Sequence, residues 1–271
     1  MTVSLLTRQY DPSAMKKMLM ILPVLAFMAS GTGCIKEDRS ECPCRLVLDF
    51  SEVDTLSLAS AEILVTSDGG FGFSDEVEKK YFADYMITVP RTQVQLSAWA
   101  GAGHCLAHDM SVVIPYGEEC PRLFLHKSEI TTDRELVKER LRMRKNHCVL
   151  TVQVEAGEEY PFKLTVRGKV DGYGSNLKPT VGEFACNAVP DTSGRCEVVI
   201  PRQLDSSLAL EVDDGTGYVK TFAVGESIVA GGYDWQAEDL DDVTVRLDYS
   251  LTEVVLEIVG WTDEFIHDVI I

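Results

Sequence analysis

From residue 45 onward the chain alternates apolar and polar residues far more often than it repeats at the spacing of a helix. In "RLVLDF", Leu46, Leu48 and Phe50 fall on one face. "VQLSAWAG" sets Val94, Leu96 and Ala98 against Gln95, Ser97 and Trp99. "CVLTVQVEA" places Leu150, Val152 and Val154 opposite Thr151, Gln153 and Glu155, and "FKLTVRG" sets Phe162, Leu164 and Val166 against Lys163, Thr165 and Arg167. Near the end, "VTVRLDYS" and "EVVLEIVG" follow the same rule with Val243, Val245, Leu247, Tyr249 and with Val254, Leu256, Ile258. A period of two predicts strands with one buried and one wetted face. Turn clusters ("TSDGG", "YGEE", "VDGYGSN", "PDTSG", "DDGTG", "AGGYD") separate them.

Such strands pack as paired antiparallel sheets, so the expected fold is all-β, with two tandem antiparallel β-sandwich domains. Most runs are shorter than the 9–11 residues of a membrane barrel strand, which argues against a barrel. One helix is expected over "SDEVEKKYFADY", Ser74 to Tyr85, with Ser74 as its cap. A boundary is expected within "EITTDR" at Glu129 to Arg134, dividing an N-terminal sandwich, 45–130, from a C-terminal one, 131–271. Beyond it, "ELVKERLRMRKN" is the only basic cluster, readable as a helix or an edge strand; as an edge strand, its charges would discourage unwanted pairing.

Among the 271 residues, 45% are hydrophobic and 25% charged, as in globular domains, and the formal net charge is −18. So acidic a surface repels phosphate backbones, which excludes nucleic acid as the natural partner. Because Arg8, Lys16 and Lys17 lie before residue 34, the remainder is more acidic still. The run Leu19 to Ala29, "LMILPVLAFMA", is too short, at about 1.5 Å per residue, to cross a hydrocarbon core of about 30 Å. Lysines before it and small residues after it give the order of a secretory signal peptide, best started at Met15. Residues 1–33 therefore read as an upstream extension and signal peptide, with cleavage between Gly33 and Cys34.

A cysteine directly after "GTG" resembles a bacterial lipobox, in which the thiol receives a diacylglycerol; Gly31 departs from the aliphatic residue usual at that position. Cys34 is the expected lipidation site, and residues 34–44 the tether, because acyl chains contribute about 0.8 kcal/mol per buried CH₂. Lys36, Glu37 and Asp38 are similar to the surface-export signal of Bacteroidetes lipoproteins.

Seven further cysteines remain, and export permits disulfides. Cys186 and Cys196 flank "PDTSG" as a candidate pair. "CPC" and "HCLAH" lack the spacing of a zinc site, so neither metal nor other cofactor is expected. No nucleotide-binding, zinc-protease or nucleophile-elbow motif is present. The acid pairs Asp213–Asp214 and Asp241–Asp242 sit in turn-rich stretches where solvation and Asx turns explain them, so no enzyme is expected.

The anchoring cysteine with its charges, "CP" before "RLVLDF", "VQLSAWAG", "NHCVLTVQVEA" and "LEIVGW" with Trp261 together resemble the FimB-like anchor subunits of Bacteroidales type V fimbriae. The resemblance covers most of Cys34 to Trp261 and rests on layout and short phrases. It implies two transthyretin-like sandwiches and a surface lipoprotein of the outer membrane. It also implies shaft subunits as partners, joined by strand exchange, and a limit on fimbrial length. The apolar end of "EVVLEIVGWTDEFIHDVII" is one candidate for the exchanged segment; docking on its own domain is the other. Thr55, in Asp54-Thr55-Leu56, is similar to the O-glycosylation site of the same bacteria. The competing function is a ligand-binding surface lipoprotein for glycan capture or host adhesion, with Phe71, Phe73, Tyr173, Tyr233 and Trp235 as sugar-stacking candidates.

Overall fold

The computed structural model describes residues 42–54, 58–155, 163–213, 215 and 217–248, together with the backbone of two strands at 254–258 and 265–269. The alternating stretches are strands. The first nine are β1 (Cys44–Asp49), β2 (Ser60–Thr66), β3 (Gly72–Glu78), β4 (Met86–Val89), β5 (Gln93–Ala100), β6 (Val112–Val113), β7 (Phe124–Thr131), β8 (Leu136–Arg140) and β9 (Arg144–Lys145). Then come β10 (His147–Glu155), β11 (Lys163–Tyr173), β12 (Pro179–Ala188), β13 (Arg195–Pro201), β14 (Ala209–Asp213) and β15 (Val219–Phe222). A short helix α1 (Val224–Ala230) precedes β16 (Val243–Asp248), β17 (Val254–Ile258) and β18 (Phe265–Val269).

Two sheets pack face to face in each half. In the first, β4-β1-β8 covers β3-β2-β5-β7-β9, and Leu46, Leu48 and Ile87 from one sheet meet Ile63, Val94 and Leu96 from the other in a single core. In the second, β13-β10-β16-β17-β18 covers β12-β11-β14-β15, and Leu150, Val152 and Val245 meet Leu164, Phe184 and Leu210. The fold is the expected all-β pair of sandwiches. It holds a duplication that the sequence does not display: β4-β1-β8 has the order of β13-β10-β16, and β3-β2-β5-β7 that of β12-β11-β14-β15. In both halves the opening strand pairs antiparallel on one side and parallel on the other, β1 with β8 and β10 with β16. The last strand of each half returns across the sandwich to lie beside the first, so the sheets are not purely antiparallel.

Two expectations change. Ser74 to Tyr85 is not a helix: β3 pairs with β2 from Ser60↔Glu78 to Thr66↔Gly72, and only Lys79–Tyr81 turn as a 3₁₀ segment. Partnering along a whole strand outweighs the modest helix preference of Glu and Lys. The first sheet pair also runs past residue 131, because β8 completes it through a parallel ladder from Arg45↔Leu136 to Asp49↔Arg140. The stretch Val224–Ala230, for which the sequence offers no clear period over so few residues, is helical with Val224 and Ile228 buried.

The halves are not beads on a string, and Cys42–Ile271 holds together as one compact unit. A third apolar cluster joins Trp99, Leu123 and Leu125 of the first half to Tyr173 of the second. Trp99 and Ser97, on the face expected to be wet, are buried for this reason. Tyr173 also donates to the Asn146 carbonyl at 2.6 Å and accepts from the Arg202 amide at 3.0 Å.

Two buried histidines lie close by. His126 Nδ1 lies 3.1 Å from the Arg142 amide and 3.3 Å from the Arg142 carbonyl, and Ser128 Oγ at 3.3 Å and Glu139 at 3.9 Å face Nε2. His147 Nδ1 lies 3.1 Å from the Leu123 carbonyl. Burial holds both rings below the ordinary 6.5. The unfolded chain then binds more protons than the folded one as pH falls below about 6.5, so stability drops there with a slope of up to about 1.4 kcal/mol per pH unit per ring. Urea denaturation from pH 7 to pH 5 checks this, and His126→Gln should flatten the decline. An equal slope in that variant would remove His126 from the account.

Candidate functional site

Joining a partner by strand addition requires an unpaired sheet edge, and natural edges are guarded against accidental pairing. In the first sandwich, β8 is such an edge and it is guarded. Lys138 Nζ lies 2.8 Å from Asp49, Arg140 Nη1 3.0 Å from Glu52, and Arg142 Nε 3.2 Å from Glu52. Hydrogen bonds from Lys138 and Ser51 hold the Asp49 carboxyl well below the usual carboxylate range. This is the edge role expected of the basic cluster. At the other side of that sheet, β4 is four residues long and uncharged, with Ile87 and Val89 inward.

In the second sandwich one side is closed from outside. Residues 112–120 leave the first half and run along it as a strap. β6 pairs with Gly172 and Tyr173 of β11, and the Ile114 amide donates to the Asp171 carbonyl at 2.8 Å. The Gly117 amide then reaches Ala185 of β12 at 2.8 Å, and the Cys120 amide reaches Val199 of β13 at 2.9 Å. Glu119 accepts from the Val199 amide at 3.1 Å. The edges β12 and β13 are both engaged.

On the opposite side the sheet is extended by the hairpin β17–β18. Its two strands pair with each other at five positions, from Val254↔Val269 to Ile258↔Phe265. Its first strand pairs in turn with β16, Val245 opposite Ile258 and Arg246 opposite Glu257. The corresponding place in the first sandwich, beside β8, is empty among the described residues and carries the guarding charges. The slot beside β16 is therefore an addition to the shared plan, filled by the hairpin β17–β18.

The remaining sequence candidates fall as follows. Gly33, Cys34, Lys36, Glu37, Asp38 and Thr55 lie outside the described residues. Cys186 and Cys196 are free thiols, not a disulfide. Their strands belong to different sheets: Cys186 Sγ faces the Asn187 carbonyl at 3.6 Å, and Cys196 Sγ the Val152 carbonyl at 3.8 Å. Burial pushes each to about 11, so neither is a reactive thiolate. Asp213 caps an Asx turn through the Gly215 amide at 2.9 Å, while Asp214 lies outside the described residues. Asp242 binds Lys145 at 2.6 Å and the Val149 amide at 2.8 Å, a structural role. The aromatic candidates do not form a platform. Tyr173 and Trp235 are buried, and Phe71, Phe73 and Tyr233 pack against the cores. Sequence reading missed the strap, which shows no regular alternation.

No protein-family profile and no curated protein matches the sequence. Solved structures do match. One is a protein of Bacteroides thetaiotaomicron named for suspected polysaccharide binding, with a TM-score of 0.63 at 13% identity, covering 84% of this chain and 98% of that one. A candidate adhesin of Bacteroides ovatus gives 0.58 at 10% identity, covering 84% and 96%. The fimbrial anchor protein Mfa2 of Porphyromonas gingivalis gives 0.58 at 13% identity, covering 84% of this chain and 100% of its own. At these identities the likeness establishes a shared fold over nearly the full length of each neighbour.

Proposed function

We propose that this chain is a fimbrial subunit held on the outer membrane by lipid on Cys34, facing the cell exterior, and joined to shaft subunits by strand exchange beside β16. In this reading it fixes the fimbria to the cell and limits its length. The observation that carries the reading is the hairpin β17–β18, which fills a slot beside β16 that has no occupied counterpart beside β8 among the described residues. Displacement of the hairpin by an incoming strand would free the β16 edge, whose backbone ladder can then pair with that strand. The shared fold with a fimbrial anchor and a candidate adhesin supports the same class of role. Lys36, Glu37 and Asp38 supply the export signal, Thr55 is the proposed glycan attachment point, and no catalysis is assigned.

The test compares cells carrying the native chain, Cys34→Ala, and a deletion of Thr262 to Ile271. Surface antibody labelling is followed together with fimbriae kept on cells or shed into the medium. Cys34→Ala is expected to shed fimbriae or give them abnormal length. The deletion is expected to keep surface labelling and to change shaft attachment. Unchanged fimbriae in Cys34→Ala would remove the anchor role, and unchanged attachment in the deletion would remove exchange at this segment.

A further inference from the structure

A second feature lies where the two sandwiches meet. A cleft of about 540 Å³ is lined by Lys127, Arg142, Arg144, Lys178 and Arg202, with Glu238 the one carboxylate among its lining residues. In a chain of net charge −18 this concentration of positive charge needs a reason. Two of the five cations are neutralised: Arg142 by Glu52 at 3.2 Å, and Arg144 by Glu238 at 2.5 Å and Asp239 at 2.8 Å. The other three have no carboxylate within ion-pair distance among the described residues. Arg202 is held by neutral acceptors alone, Asn146 Oδ1 at 2.9 Å, the Ala237 carbonyl at 2.8 Å and the Trp235 carbonyl. Its partly buried charge is thus fixed in place without a carboxylate in ion-pair contact, Asp234 and Asp239 acting only from further away, and burial disfavours that charge. Lys127 makes only a long bond, 3.5 Å, to the Asn176 carbonyl. Lys178 is exposed on the same rim.

The rim is also built. Leu177 has φ of 62°, a left-handed backbone that costs a non-glycine residue about 1–2 kcal/mol. Three local bonds hold the turn: Leu177 N to Gly174 O at 2.8 Å, Gly174 N to Lys178 O at 2.9 Å, and Lys178 N to Asn176 Oδ1 at 3.0 Å. The Leu177 side chain packs on the cluster around Trp99 and Tyr173. The strained turn sets Lys178 beside Lys127 at the mouth of the cleft. Asn176 and Gln236 add carboxamides to the lining, groups suited to hydroxyls, whereas the apolar lining is only Leu125, Leu177 and Ala237. That composition offers little to a peptide's apolar side chains.

We propose that this cleft binds an acidic saccharide, its carboxylate or sulfate groups held by Lys127, Lys178 and Arg202 and its hydroxyls by Asn176 and Gln236. The site does not depend on the anchor role. Calorimetry on the full chain would use an oligogalacturonate, a heparin-derived oligosaccharide, a neutral malto-oligosaccharide and an oligoglutamate peptide. One or both acidic saccharides should bind, more weakly as salt rises, and the one that binds identifies the anionic group. Lys127→Ala/Lys178→Ala should weaken that binding roughly tenfold or more. Arg134→Ala/Arg195→Ala, exposed and outside the cleft, should leave it unchanged. Absence of acidic-saccharide binding, an unaffected lysine double variant, equal loss in the control variant, or equal binding of the neutral sugar or of oligoglutamate would each overturn the proposal. Because both lysines are exposed surface residues, the double variant should retain the native melting temperature.

Discussion

Tyr173→Ala is expected to destabilise the protein by about 3–5 kcal/mol, the range for removing a buried aromatic side chain. The ring is fully buried in the cluster that joins the halves, so the cavity opens where neither sandwich can collapse into it alone. The hydroxyl adds a second loss. It satisfies the Asn146 carbonyl and the Arg202 amide, one from the start of β10 and one from the end of β13. Tyr173→Phe keeps the ring and strands both groups, and should lose about 1–3 kcal/mol. Urea denaturation followed by tryptophan fluorescence separates the terms. Trp99 reports the junction and Trp235 the second core. In Tyr173→Ala the Trp99 signal should change at lower urea than the Trp235 signal. Coincident transitions with less than 1 kcal/mol lost would mean that the junction contributes little.

Gly172→Ala should be nearly as damaging, through backbone instead of side chain. A Cβ at this position would stand 2.0 Å from the Val112 carbonyl oxygen and 3.0 Å from its carbon. Neither atom belongs to a flexible side chain, so the β6 pairing has to move. Overpacking of about 1–3 kcal/mol combines with weakened hydrogen bonds to give a loss of about 2–4 kcal/mol. Amide hydrogen exchange at Ile114, Gly117 and Cys120 should speed up while the amides of β10 stay protected. Gly72→Ala is the control, since nothing lies within 4 Å of its would-be Cβ and its φ is not positive. Unchanged exchange along residues 112–120 would show that the strap tolerates displacement of β6.

Alternation placed the main strands and their inward faces correctly. Leu46, Leu48, Val94, Leu96, Leu150, Val152, Val243 and Val245 are all buried. Period two reports which face is covered, whatever covers it. Pairing partners lie beyond its reach. β3 resembles the start of a helix because Ser74 reads as a cap followed by the acids Asp75, Glu76 and Glu78, yet a complete ladder to β2 decides its state. β8 looked like the start of the second half, although its partner β1 lies some ninety residues earlier in the chain. Trp99 sits on a face that alternation marks as wet, and only the packing of one half on the other buries it. The cationic cleft was similarly hidden: its lysines and arginines come from β7, the β8–β9 stretch, the β11–β12 turn and the end of β13, and meet only after both halves have docked.

The parallel pairing of β1 and β8 has a mechanical consequence. A pull applied upstream of Cys42 enters the structured part along β1, whose ladders to β4 on one side and β8 on the other run parallel to the force. Backbone hydrogen bonds in that geometry are strained side by side, in shear, and must rupture together instead of opening one at a time like a zipper. Resistance to such a pull is set by the height of the unfolding barrier and not by equilibrium stability. Two proteins of equal melting temperature could thus differ widely in the tension they survive, and here the first strand is clamped from both sides.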